Sequence, residues 1–239
     1  DALNKIFKTK HISVSSPKVT SKTRLSQRIF EFDAKIQDIS ASVKSYVQYF
    51  DNITPQGWIS ADISPSYIAL TTEHIEEVSG QFVDRGFECD VALFLRDPIE
   101  RIYSFSKMVM RNRLVCEHLG VTKESSLNDV ALLLSSHPEF TTDYAAAIEN
   151  IESTNLVSKK FIYPYEALTT ADGVAAMSLC LGLERLEGFE NEVYHKSKEI
   201  SFLGDPKVQL HLRSFLADQY DYCEQYFRSR KIQLNWRFM

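Results

Sequence analysis

Val91-Ala92-Leu93-Phe94-Leu95-Arg96-Asp97-Pro98-Ile99-Glu100-Arg101-Ile102-Tyr103-Ser104 is the stretch that decides how this chain folds. Its first five residues form an unbroken apolar run, the pattern of a strand buried on both faces of a parallel sheet. Asp97-Pro98-Ile99-Glu100 then opens a helix. Asp97 can cap it, Pro98 suits its first position, and Glu100 can return a bond as in a capping box. Ile99, Ile102, Tyr103, Val109 and Met110 are expected to face the sheet, while Ser104, Lys107 and Arg111 share another face. A guanidinium thus ends a strand, and a hydroxyl follows two turns into the next helix. Anionic ligands bind at that edge of an open parallel sheet. The planar fork of Arg96 matches a phosphate, and Ser104 supplies a donor that the same phosphate can share.

Working outward, Lys160-Phe161-Ile162-Tyr163 reads as a second strand, and Trp58–Ile63 and His11–Ser15 as shorter ones. Helical spacing is expected over 2–9, much of 21–50, 66–79, 98 onward, 125–134, 139–153, 171–182 and 205–229. Strands alternating with helices predict an α/β fold with a parallel sheet. With no internal repeat and no low-complexity linker, residues 1–239 are expected to form one domain. A mainly helical insertion is expected at about 112–155. Its Phe140 and Tyr144 either line a cleft or pack in the core, and core packing is the more ordinary fate of such residues.

Composition narrows the function. An apolar fraction of 44% supports a sizeable core, and a net charge of −5 argues against a general nucleic-acid binder, which needs a basic surface. Cys89, Cys116, Cys180 and Cys223 are far apart and show no zinc spacing. Two disulfides or four thiols both fit, and reduced, mostly buried thiols are the expectation. No apolar run reaches membrane-spanning length, and Asp1-Ala2-Leu3-Asn4-Lys5 lacks the pattern of a signal peptide, so a cytoplasmic location is expected. His11, His74, His137 and His195 form no constellation that sets one apart.

Arg96, seven intervening residues, then Ser104 resembles the 3′-phosphate-binding motif of the PAPS-dependent sulfotransferases, in particular their Golgi-type and bacterial members. Further segments fall in that family's order. Ser15-Ser16-Pro17-Lys18 resembles its S-P-K-E strand end, and Asp62-Ile63-Ser64-Pro65-Ser66-Tyr67 its D-x-T-P-x-Y segment. Tyr163-Pro164-Tyr165-Glu166-Ala167-Leu168 resembles its Y-E-D-L strand end, Cys180-Leu181-Gly182-Leu183 its F-L-G-L, and Asn235-Trp236 is in keeping. Singly, only the Arg96–Ser104 pair is fairly specific; together the segments cover most of the chain.

The resemblance implies a P-loop NTPase-like three-layer sheet flanked by helices, and transfer of a sulfuryl group from PAPS to a hydroxyl or amine, leaving PAP. The acceptor would be a small molecule or a carbohydrate, and no metal is implied. Arg96 and Ser104 would hold the 3′-phosphate, Tyr165 would lie near the adenine, and Lys196 or Lys198 would sit on a late loop closing over the phosphate. Lys18 would contact the sulfonate or acceptor. The family's glutamate in the S-P-K-E segment is Val19 here, so Asp62 becomes the candidate base, or else simply caps its turn; Phe30-Glu31-Phe32-Asp33 is a displaced match to an H-F-F-D segment. No GxxxxGK[ST] pattern occurs in the chain. The family's first strand and phosphate loop are therefore expected upstream of Asp1. The alternative is a non-catalytic module that keeps only the 3′-phosphate half-site. A nucleotide kinase of related fold is less in keeping, since a Walker lysine and Mg²⁺-binding carboxylates are not evident.

Overall fold

The computed structural model describes residues 39–63, 65–137, 140–180, 182 and 205–238. Helices dominate, arranged around a two-stranded parallel sheet, so the architecture is α/β. In chain order they are α1 (Ile39–Ile53), a 3-10 turn (Pro65–Ala69), α2 (Thr72–Val83), β1 (Asp90–Leu95), α3 (Pro98–Arg111), α4 (Arg113–Leu119) and α5 (Leu127–Ser135). There follow α6 (Tyr144–Glu152), β2 (Lys159–Pro164), a second 3-10 turn (Tyr165–Thr169), α7 (Ala171–Cys180), α8 (Pro206–Phe215) and α9 (Ala217–Ser229).

β1 and β2 run in register from Asp90 beside Lys159 to Leu95 beside Pro164, so both strands end at the same edge. The segment at 112–155 is part of the crossover between them, and it is helical as expected. It is not an appendage, however. Tyr144, Ala147, Ile148 and Ile151 of α6 join Leu93, Leu95, Ile99, Ile102 and Ile162 in the main core, which α8 and α9 complete with Leu212, Tyr220 and Phe227. Leu95 and Ile99, both fully buried, contribute about 1.5–3 kcal/mol each by leaving water.

α3 forms as read. Its buried face is Ile99, Ile102, Tyr103 and Val109, but Ser106 replaces Met110, which is exposed. Ser106 lies one turn beyond Ile102 and satisfies its hydroxyl on the Ile102 carbonyl at 2.9 Å, which makes its burial tolerable.

Three expected elements differ. Trp58–Ile63 is irregular rather than a strand. No described strand lies beside it to complete a ladder, and Trp58 and Ile63 are 69% and 80% exposed. The helix expected at 66–79 is two pieces, because Thr71 leaves the helix and caps α2 by accepting from the His74 amide. The helix expected at 205–229 breaks at Leu216, whose φ of −98° and ψ of 12° depart from helical values while its side chain is buried. The expected elements at 2–9 and 11–15 lie outside the described residues.

Candidate functional site

The parallel pairing brings two sequence-chosen residues to one place. Arg96 follows the last residue of β1, and Tyr165 follows the last residue of β2. The Arg96 guanidinium lies 6.0 Å from the centre of the Tyr165 ring. Tyr144 of α6 fixes the backbone here, donating its hydroxyl to the Arg96 carbonyl at 2.9 Å. Burial pushes that phenol up, well above its ordinary value.

The Arg96 side chain is 40% exposed and pairs with Glu100 Oε2 through Nη2 at 3.0 Å and Nε at 3.3 Å. This corrects the capping-box expectation. Glu100 turns toward the arginine one turn away, and the helix start is capped by Asp97, whose Oδ1 accepts from the amides of Ile99 at 2.9 Å and Glu100 at 3.2 Å, with the Tyr220 hydroxyl also accepting from the Ile99 amide at 3.3 Å. Ser104 is exposed on α3, one turn beyond Glu100 on the same face. Arg111 is exposed further along it.

Two residues behind this edge do more than their local sequence suggests. Asp97, fully buried, does more than cap. Its Oδ1 also accepts from the Tyr220 hydroxyl at 2.6 Å, and its Oδ2 accepts from the Phe238 amide at 3.0 Å. Glu166 accepts from the Asp97 amide at 3.1 Å and from the Trp236 indole nitrogen at 2.9 Å. Burial raises the Glu166 carboxyl, against the lowering effect of those two donors. A sequence signal existed: an acid follows each of Arg96 and Tyr165, and a tryptophan stands near the C-terminus. Nothing in their spacing says that they meet.

The remaining chosen residues lie elsewhere. Lys18 and Lys196, with Lys198 and Glu31, are outside the described residues. Asp62 is exposed, and its Oδ2 accepts from the hydroxyls of Tyr46 at 3.0 Å and Tyr67 at 2.5 Å. Burial, reinforced by the carboxylate, holds the Tyr67 phenol at about 12, and burial likewise drives Tyr46 well up. These bonds clasp Asp62 to α1 and to the 3-10 turn at Pro65–Ala69. Among the described residues no hydrogen bond or ion pair joins Asp62 to Arg96, Ser104 or Tyr165.

Phe140 packs beside Phe105 on the small cluster of Val109, Val130 and Leu134, and Tyr144 is core. Cys89, Cys116 and Cys223 are free thiols. Among the described residues no group of His, Cys, Asp or Glu is placed to hold a metal ion, and no helix is long and apolar enough to cross a membrane. No family model, curated protein or solved structure matches the chain.

Proposed function

We propose that this protein is a PAPS-dependent sulfotransferase of P-loop NTPase-like fold, in which Arg96 and Ser104 hold the 3′-phosphate and Tyr165 lies against the adenine. The observation that carries the reading is the meeting of Arg96 and Tyr165 at the carboxyl edge of two parallel strands, where such sheets bind nucleotides. Glu100 does not forbid it. An exposed i,i+4 pair is worth about 0.3–0.5 kcal/mol, whereas a bond from Arg to phosphate contributes about 1.5–3 kcal/mol. A phosphate displaces Glu100 from Arg96 at a net gain.

The transfer is an in-line displacement at sulfur: the acceptor oxygen or nitrogen forms the new bond as the bond to the 5′-phosphate oxygen breaks, and the acceptor proton goes to a base. Positioning and charge stabilisation do the catalytic work, as in phosphoryl transfer. Asp62 is the proposed proton acceptor, supported by its exposure, and Lys18 and Lys196 keep the roles the resemblance gives them.

Calorimetry with adenosine 3′,5′-bisphosphate tests the nucleotide site. Arg96→Ala is expected to weaken binding by about tenfold to a hundredfold, the equivalent of one charge-assisted bond. Unchanged binding overturns the assignment. Binding without sulfuryl transfer to any acceptor would favour the non-catalytic module.

A further inference from the structure

The ladder between the two strands stops at Leu95 beside Pro164, and Pro164 carries no amide proton to continue it. Arg96 and Tyr165 are the first residues past that point, one leading into α3 and the other opening the second 3-10 turn. Backbone pairing between β1 and β2 therefore ends just short of the two side chains whose spacing a nucleotide would have to match.

Glu166 carries the pairing one step further. Its Oε1 accepts from the Asp97 amide at 3.1 Å, so a side chain of one connection holds the backbone of the other, directly behind Arg96 and Tyr165. That amide and the Arg96 carbonyl belong to the same peptide unit, and the carbonyl accepts from the Tyr144 hydroxyl at 2.9 Å. The peptide that aims Arg96 is thus gripped at both its polar groups. The second oxygen of Glu166 is fixed as well. Its Oε2 accepts at 2.9 Å from the indole nitrogen of Trp236, which is buried against the rings of Tyr144, Tyr220 and Phe227. With both oxygens engaged, the carboxylate has one orientation in which neither donor is lost.

We propose that Glu166 is a positioning residue of the nucleotide site: it fixes the Arg96–Asp97 peptide against the turn that begins at Tyr165, and so sets the span between guanidinium and ring across which one nucleotide binds. The inference rests on the sulfotransferase reading above and deepens it by giving the span a cause. Trp236 orients Glu166 in turn. A ligand that engages Arg96 and Tyr165 together gains from finding them at their bound spacing, whereas a ligand that engages only one of them does not.

The test is calorimetry of the full chain with adenosine 3′,5′-bisphosphate, and with adenosine 5′-monophosphate, which lacks the 3′-phosphate, as the control. The proteins are wild type, Glu166→Asp, Arg96→Ala and the double variant. Aspartate keeps the negative charge but is one methylene too short to reach both donors, so the change is one of geometry. Glu166→Asp is expected to weaken bisphosphate binding about tenfold and to leave the monophosphate unaffected. It is expected to cost nothing more once Arg96 is alanine, because its effect runs through Arg96. A purely structural role would weaken both ligands, with or without Arg96. Trp236→Phe leaves Glu166 in place and unties its Oε2. It is expected to weaken the bisphosphate about twofold with the same selectivity, and it decides the matter if Glu166→Asp does not fold. If Arg96→Ala loses affinity and Glu166→Asp does not, or if the two losses add in the double variant, the inference is overturned while the sulfotransferase site stands. If wild type fails to bind the bisphosphate, or Arg96→Ala binds it as wild type does, the sulfotransferase reading itself falls and takes the inference with it.

Discussion

Asp97→Ala is expected to destabilise this protein more than any change at the ligand-facing surface, and the structure lets the cost be built up. Four donors converge on the Asp97 carboxylate: the amides of Ile99, Glu100 and Phe238, and the Tyr220 hydroxyl. Loss of the helix cap costs about 1 kcal/mol. The Tyr220 hydroxyl and the Phe238 amide are then left without their acceptor, at about 1–3 kcal/mol each. Removing a buried carboxylate also relieves its desolvation cost, so a total of about 4 kcal/mol is expected rather than the full sum. That is a large share of the ~5–15 kcal/mol that holds a domain together. For a chain of this size it lowers the melting temperature by about 8–16 °C.

The assay is urea unfolding of a double-mutant cycle, Asp97→Ala with Tyr220→Phe. Because the two side chains share a bond at 2.6 Å, the double variant should be less destabilised than the sum of the singles, with a coupling of about 1–3 kcal/mol. Asp97→Asn should fall between wild type and alanine: it keeps an acceptor for the helix amides but can turn an amide NH₂ against the Phe238 N–H. Additive single effects would refute the reasoning, since they would mean that Asp97 caps the helix without holding α9 and the C-terminus.

Gly173→Ala reverses the usual sign of a helix glycine substitution. Alanine normally gains about 0.5–1 kcal/mol in a helix, but here a Cβ would lie 1.8 Å from the Ala167 carbonyl oxygen, so a loss of about 1–3 kcal/mol or more is expected in thermal unfolding. Asp62→Asn should lower the Tyr67 phenol from about 12 toward, but not to, its ordinary value, because the charge goes while burial stays; ultraviolet titration of tyrosinate, with Tyr67→Phe as the difference control, reads this directly. Glu166 titrates above its ordinary value in the fold, so on raising the pH the unfolded chain loses this proton first. Its contribution to stability then falls as pH climbs from about 4.3 to the raised value, and Glu166→Gln should remove that part of the pH slope in urea midpoints. Burial pushes the Cys223 thiol up to about 12, so iodoacetamide should label it only in the unfolded chain.

How far the fold was legible depended on whether a signal was local. Leu93, Leu95 and the helix start at Asp97-Pro98 were readable because a buried strand and an N-cap are each set by adjacent residues. Trp58–Ile63 alternates like a strand, but alternation is only half of what a strand needs, and the missing half is a partner elsewhere in the chain. The break at Leu216 is illegible for the opposite reason: nothing at 205–229 marks it. The site divides the same way. Arg96 is legible because it ends an apolar run and Tyr165 comes only from the family resemblance, whereas the anchoring of Trp236 and Phe238 joins residues 70 and 141 positions apart and leaves no local trace.

The Arg96–Glu100 pair shows how a residue proposed to bind a phosphate can look like a structural one. A lone guanidinium at a strand end would wave through many rotamers, and fixing it on a ligand would cost about 1–2 kcal/mol of side-chain entropy. Glu100, one turn along α3, already confines it near the Tyr165 ring. On the proposed reading the pair would offset part of that entropy before a phosphate arrives, yet be too weak to compete with one. Glu100→Gln separates the two effects. If confinement matters more, bisphosphate affinity drops slightly; if charge competition matters more, it rises. The i,i+4 geometry and the 40% exposure of Arg96 favour the rise, by a factor of about two for ~0.4 kcal/mol of pairing removed. A clear loss of affinity would show that Glu100 orients Arg96 rather than shielding it.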